Sequence, residues 1–482
     1  MSSVTKLETG IAGVDLITHG GLPLGRTTLV AGTAGSAKTV FATQFLAGGT
    51  RQTPPEPGVF VTFEERPEDL RLHAQSIGVD VHALEAQGLW AFVDASPEFE
   101  AETVVVGPYD LTALLARVRH AVERIGARRV AIDAIGALFA QLPDATIVRR
   151  ELLRVAAALK AMGVTAVITS EKTGEYDDIG RYGVEDFVAD NVIVLRNVLD
   201  AGQRRRTIEV LKLRGASHQR GEYPFSIVSG DGIVVLPLTS MRLQARSTDE
   251  RVSTGVAELD RMTDGGYFRA SVVMVSGATG AGKTLTGTHF VNAGLEAGER
   301  VLFFAFEESR EQVLRNARNW GMDFAAHEEA DRLRIQAVFP EAAGLEDHLI
   351  QIRGAIDSFR PQRVVVDSLT ALERNATTKS YREFVIGLTA FCKAEGVSAL
   401  YTATTDDLLG GASITDAHIS TITDSVILLR YVETASTILR ALAVLKMRGS
   451  AHEKGIRHFE IDHAGLHIGE PVRATTSRGF LA

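Results

Sequence analysis

The apolar positions of this chain alternate between two patterns. Short continuous runs come first: "RTTLVAG" from Arg26, "GVFVTFEE" from Gly58, "RRVAIDA" from Arg128 and "VTAVITSE" from Val164. Between them lie longer stretches with apolar residues at helical spacing: "TVFATQFLAGG" from Thr39, "YDLTALLARVRHAVERIG" from Tyr109 and "VRRELLRVAAALKAMG" from Val148. Short apolar runs bounded by turn residues read as buried strands, and the spaced stretches read as amphipathic helices. Strands alternating with helices predict an α/β fold, a mainly parallel sheet flanked by helices. Ligands of such sheets sit at the carboxyl ends of the strands.

The pattern occurs twice. "TGIAGVDLITHGGLPLG" from Thr9 is answered by "TGVAELDRMTDGGYFRA" from Thr254, and "VFVTFEERPEDL" from Val59 by "LFFAFEESREQV" from Leu302. "RRVAIDAIGAL" from Arg128 matches "QRVVVDSLTAL" from Gln362, and "VLKLRGASH" from Val210 matches "VLKMRGSAH" from Val444. Order is kept, so the chain is a tandem repeat of a domain of roughly 240 residues, within the ordinary domain range. The polar stretch "TSMRLQARSTDERVS" marks the seam, giving expected domains 1–247 and 248–482.

Each half has a glycine-rich loop between a predicted strand and a predicted helix. "GATGAGKT" (277–284) fits the phosphate-loop form G-x-x-x-x-G-K-[ST] in full, whereas "GTAGSAKT" (32–39) has Ala37 in place of the second glycine. Backbone N–H groups of such a loop, with the following helix N-terminus, cradle phosphates. The candidates are Gly35, Ser36, Ala37, Lys38 and Thr39 in half one, and Thr279, Gly280, Ala281, Gly282, Lys283 and Thr284 in half two. The lysines would reach the outer phosphates and the threonines would ligate Mg²⁺. Alanine at position 37 costs on the order of 1 kcal/mol if φ is positive there and little if it is helical. The rest of the first site stays in register, so it is expected to bind ATP.

Three acidic and basic features repeat beside the loops. Asp133 and Asp367 each end an apolar strand, where an acid orients the metal shell of an NTPase. Glu64–Glu65 and Glu307–Glu308 follow the second strand. One of each pair is expected to face the site, because adjacent strand residues point opposite ways, and to orient or deprotonate the attacking group. Lys212 and Arg214 in "KLRG", and Lys446 and Arg448 in "KMRG", are two apart on a predicted strand. They suit the phosphates of a neighbouring subunit's nucleotide.

Composition narrows the classes. Hydrophobic residues make up 45% and charged residues 23%, as in globular domains. A formal net charge of −9 speaks against a nucleic-acid coat protein. One cysteine, Cys392, excludes an intrachain disulfide framework and fits a reducing cytosol. The start "MSSVTKLETG" shows no signal peptide, and the apolar runs are too short to span a bilayer. A cytoplasmic protein with no membrane role is expected.

With these residues in hand, the chain resembles the KaiC family of circadian-clock ATPases and autokinases, within the RecA-like superfamily, over nearly its whole length. "ITDAHISTITDSVILLRYVE" from Ile414 is the most specific stretch. The resemblance implies phosphorylation at Ser420 and Thr421, with Thr415 in phosphate relay and Arg374 near those sites. It implies that Ser76, Leu213 and His218 border the first nucleotide, that Trp320, Arg440 and Met447 border the second, and that Glu307 joins Thr39 and Thr284 as metal residues. It further implies a homohexamer of stacked rings with Mg·ATP between subunits, hydrolysis in the first ring, and Ser/Thr autokinase and autophosphatase activity in the second. A KaiB-type partner on the first ring is compatible. The short tail "ATTSRGFLA" does not match the longer tail that KaiA grips, which argues against KaiA dependence. The alternative from the residues alone is a nucleic-acid-dependent ring ATPase of the RecA/DnaB type. It predicts a basic glycine-rich loop, against which the chain offers only scattered arginines such as "RRRT" (204–207).

Overall fold

The computed structural model describes residues 4–96, 111–136, 145–177, 189–200, 202–236, 248–374, 376–405, 422–433 and 437–472. The chain divides into two compact units, Met1–Ser240 and Met241–Ala482.

In the first unit the sheet strands are β1 (Thr27–Gly32), β2 (Gly58–Thr62), β3 (Trp90–Asp94), β4 (Arg129–Asp133), β5 (Thr165–Glu171), β6 (Asn191–Asp200), β7 (Gln203–Leu213), β8 (Glu222–Val228) and β9 (Gly232–Val235). They lie in the order β9-β8-β7-β6-β1-β5-β4-β2-β3. Pairings from β6 across to β3 are parallel, and β6–β7, β7–β8 and β8–β9 are antiparallel. The second unit repeats this with β10 (Val272–Gly277), β11 (Val301–Ala305), β12 (Leu333–Ala337), β13 (Arg363–Asp367), β14 (Ser398–Thr404), β15 (Ser425–Glu433), β16 (Ile438–Met447), β17 (Arg457–Asp462) and β18 (Gly465–Pro471). Their order, β12-β11-β13-β14-β10-β15-β16-β17-β18, is the same topology. These are two tandem RecA-like α/β domains.

The continuous apolar runs are buried on both faces, as parallel strands under helices must be. Every residue of β1, β2, β4, β10, β11 and β13 is buried. Helix α1 (Lys38–Thr50) buries Phe41 through Gly49, and α2 (Lys283–Glu296) buries Leu285 through Val291. These central helices carry each phosphate loop at their N-termini, so packing of the core aims the loop.

A buried arginine starts β4 and β13. Arg129 is fully buried, donates Nε to Glu56 at 2.8 Å and Nη1 to the Phe45 carbonyl at 2.9 Å, and lies over the Phe45 ring. Arg363 repeats this with Glu299, with the carbonyls of Ser253 at 2.7 Å and Phe290 at 3.1 Å, and with the Phe290 ring. Burying a guanidinium is costly unless it is paired and hydrogen-bonded, and both are. Space for it comes from Gly49 and Gly294, where a Cβ would stand 2.5 Å from Arg129 Nε and 2.7 Å from Arg363 Cδ.

Candidate nucleotide sites

Each loop leaves the carboxyl end of the central strand and turns into its helix through a left-handed residue. At Gly282 φ is 101°, and at Ala37 it is 74°. Ala37 therefore sits in the costly branch of the expectation, at roughly 1 kcal/mol for an L-residue. The first unit accommodates the methyl by packing it against the core. At Gly282 a Cβ would stand 3.1 Å from Ile461 Cδ1. Ile461 packs on the second core, whereas Ile227, at the matching place in β8, is 36% exposed.

The lysines point back into their loops. Lys38 Nζ donates to the carbonyls of Gly32 at 3.0 Å and Thr33 at 2.9 Å, and Lys283 Nζ to Ala278 at 3.0 Å. Burial lowers both lysine pKa values, against the pull of nearby carboxylates: Glu171, Asp133, Glu64 and Glu175 around Lys38, Asp367 and Glu307 around Lys283. Asp133 and Asp367 are buried at their strand ends, and a threonine on the neighbouring strand donates to each: Thr169 to Asp133 and Thr402 to Asp367. Thr284 adds a second bond to Asp367 at 2.8 Å. Burial raises the Asp367 pKa in spite of these bonds.

The glutamate pairs lie past the ends of β2 and β11, at Thr62 and Ala305, so the expected strand alternation does not set their directions, yet the two members of each pair part. The outer member is held by the helix that follows: Glu65 by His73 at 3.0 Å, Glu308 by Asn316 Nδ2 at 3.2 Å. The inner member faces the lysine. Glu307 also accepts from Ser368 Oγ at 3.1 Å and pairs with Arg374 at 3.3 Å. The proton affinity of Glu64 is raised by burial and then by Glu171 and Asp133. In the second unit it is Glu308 whose affinity is raised, by burial and then by Asp367.

The basic pairs lie elsewhere. Lys212 stands opposite Val192, which is level with Leu29 near the start of β1, so it is at the other end of the sheet from the unit's own loop. Lys446 is placed alike, opposite Val426. Their Nζ atoms donate to the carbonyls of Ala189 at 2.8 Å and Thr423 at 2.6 Å. The expectation that lysine and arginine share a strand face needs correction. β7 and β16 end at Leu213 and Met447, one residue short of Arg214 and Arg448. The chain turns there: the Arg214 N–H bonds the Asn191 side chain and the Arg448 N–H bonds the Asp424 carbonyl. Arg214 pairs with Asp190 at 3.5 Å.

Other expected residues scatter. Ser76 ends the helix Pro67–Ser76, with Oγ donating to the His73 carbonyl at 2.7 Å. Trp320 caps the matching helix and packs on the second core. Leu213 and Met447 are buried. His218 is lowered in pKa by burial and nearby Arg220. Arg440 Nε reaches the Gly280 carbonyl at 3.4 Å, and Arg206 of "RRRT" makes the equivalent contact to Gly35 at 3.2 Å. Thr415, Ser420 and Thr421 lie outside the described residues. Sequence reasoning missed His73, Asn316, Thr169, Thr402, Arg206, Glu171 and Glu175. For Thr169 and Thr402 the in-register repetition of threonine at the end of the strand was an available signal.

Two phosphate loops, each with a strand-end aspartate and a flanking glutamate pair on a RecA-like sheet, define a tandem-domain P-loop ATPase. The model of the family "ATPase: KaiC" matches residues 7–240 and 252–473, and the chain belongs to this family. It is 55% identical over 479 residues to a circadian clock protein KaiC3 of Synechocystis sp., covering 99% of this chain and 94% of that one. It is 50% identical over 471 residues to a circadian clock oscillator protein KaiC of Synechococcus elongatus, covering 98% and 90%. It is also 50% identical over 465 residues to one of Acaryochloris marina, covering 96% and 88%. The chain is thus a KaiC-like circadian clock protein. Among the described residues no helix is long and apolar enough to cross a membrane.

Proposed function

We propose that the first unit hydrolyses ATP and that the second phosphorylates and dephosphorylates its own chain at Ser420 and Thr421, with Thr415 as a relay. The observation that carries this reading is the pairing of two complete loop–aspartate–glutamate sites with basic pairs at the far end of each sheet. A basic pair so placed serves the nucleotide of an adjacent copy, which makes a homohexameric ring with ATP at subunit interfaces the natural assembly.

Mg²⁺ fits the donors present. Among the described residues no group of three or more His, Cys, Asp or Glu forms a metal cage, and Mg²⁺ needs none, since it takes one or two protein oxygens beside substrate phosphates and water. Thr284 and Asp367 would hold it in the second unit with Glu307 close by, and Thr39 and Asp133 in the first. Bound there, it would neutralise charge on the transferring phosphate.

The chain's own groups do the rest. Loop N–H groups and Lys38 or Lys283 bind phosphates. In the first unit Glu64 takes the proton of the attacking water, its affinity for that proton being raised by burial and Glu171. In the second, Glu308, its proton affinity raised by burial and Asp367, takes the proton of the Thr421 or Ser420 hydroxyl, with Glu307, which acts on Lys283 and pairs with Arg374, as the alternative base. Lys446 and Arg448 of a neighbour stabilise charge on the phosphoryl group. In "RRRT", Arg206 contacts its own loop at the Gly35 carbonyl and Arg204 the Asn197 carbonyl. A KaiB-type partner fits the first unit, and the protein acts in the cytoplasm. Mass spectrometry after incubation with Mg·ATP tests the reading: phosphate on Ser420 and Thr421 is expected, and unmodified residues in protein that consumes ATP would contradict it.

A further inference from the structure

The first phosphate loop makes a contact that its counterpart cannot. Thr33, second in the loop, donates its hydroxyl to Glu175 Oε1 at 2.6 Å, and Glu175 Oε2 accepts the Asn197 N–H at 3.1 Å. Glu175 lies four residues beyond the end of β5. Arg196 of β6 fixes the backbone there: its Nε donates to the Glu175 carbonyl at 3.2 Å, and its guanidinium lies 5.2 Å from the centre of the Tyr176 ring. Arg196 is itself half of a 2.7 Å ion pair with Glu209. The carboxylate is thus anchored from behind and aimed at the loop, close enough for its charge to act on Lys38.

In the second unit the place of Thr33 is taken by Ala278, which has no hydroxyl to donate. Tyr431 replaces Asn197 and directs its phenol to the Thr279 carbonyl at 3.4 Å. Four residues past the end of β14 stands Leu408, an uncharged residue outside the described ones. Among the described residues the second loop is steadied by a neutral group and the first by an anion.

We propose that Glu175 is a latch on the first phosphate loop that competes with the nucleotide's phosphates, coupling occupancy of the loop to the segment after β5 in the first unit. This rests on the reading of the first loop as an ATP site. A carboxylate and a triphosphate beside one lysine repel each other, and the phosphates, with more charge and more loop N–H donors, prevail. On their arrival Thr33 loses its acceptor and the segment from Glu171 to Asp177 loses its hold on the loop. ATP then binds the first unit more weakly than the loop alone would permit.

The test is ATP binding, with Mg²⁺, to the full chain carrying Lys283→Ala so that only the first loop is read by calorimetry. Glu175→Gln keeps an acceptor for Thr33 and removes the charge, and should tighten ATP by about three- to tenfold, with the gain shrinking at high salt. Thr33→Ala should tighten it less, and Thr33→Ser should match the parent. Unchanged or weaker binding in Glu175→Gln, with the parent binding normally, would make Glu175 a mere brace and overturn the latch. No ATP at the first loop of the parent would overturn both the latch and the reading of that loop as a nucleotide site.

Discussion

The two units share their strand order, their loop, their strand-end aspartate with its threonine, and their buried arginine beside a glycine. They part company at the rim. Among the described residues four carboxylates act on Lys38 and two on Lys283. Ala37 replaces glycine, Glu175 holds the first loop, and Tyr431 touches the second. Duplication has conserved what grips phosphate and released what surrounds it. A difference in chemistry between the units then needs no difference in fold, only a change of the groups that sit beside the base and the loop.

The largest break in that comparison comes from the glutamates. Glu64→Gln should lower hydrolysis by the first unit about 10²- to 10⁴-fold, the usual worth of a general base, and leave phosphorylation in the second intact; separate ATPase and phosphate-incorporation assays check it. Because the Glu64 pKa is raised by burial and Glu171, hydrolysis should fall with acidification at a pH above the ordinary carboxylate range. Glu171→Thr, the residue found at the matching Thr404, should move that limb to lower pH.

A second contrast lies in the cores. Gln44 in the first unit and His289 in the second both accept a backbone N–H of the final hairpin, from Ile233 at 2.7 Å and Leu466 at 3.0 Å. His289 must be neutral to accept, and burial lowers its pKa to about 4. The folded-state value lies below the unfolded 6.5, so the unfolded chain binds more protons between them. Stability of the second unit should be intact above pH 6.5 and decline as pH falls towards 4, by up to about 3 kcal/mol. His289→Gln should remove this dependence, as thermal or denaturant melts across that range would show; the same pH slope in the variant would assign it to other groups.

The smallest contrast is at the loop itself. Gly282→Ala adds a Cβ 3.1 Å from Ile461 at a positive φ, and should weaken ATP binding at the second loop by about tenfold, a loss near 1.4 kcal/mol. Ala37→Gly relieves strain but gives up packing and stiffness, so it should change first-loop affinity by less than about threefold. A large gain there would mean that the methyl obstructs phosphate.

Much of this was legible in the sequence because it rests on local chemistry. "GATGAGKT" and "GTAGSAKT" declare phosphate loops by spacing, and β-branched runs ending in Asp133 and Asp367 declare strand ends at a site. What stayed hidden depends on side chains meeting across elements. Glu65 with His73 and Glu308 with Asn316 is a pairing between a strand end and the next helix, visible only once the helix is oriented. Thr33 with Glu175 joins residues far apart in the chain, and nothing in either segment marks them as partners. Lys212 and Arg214 looked like neighbours on one strand face until the turn after Leu213 separated them.

The central claim is that each site is completed by the next copy of the chain. Mixing tests it most directly: chains carrying Lys283→Ala, which cannot hold the second nucleotide, with chains carrying Arg448→Ala, which cannot reach across. Each alone should be deficient in phosphate incorporation at Ser420 and Thr421, and the mixture should recover a measurable fraction of parental activity, because some interfaces pair an intact loop with an intact Arg448. A mixture no more active than its components, in assemblies shown to contain both chains, would contradict it.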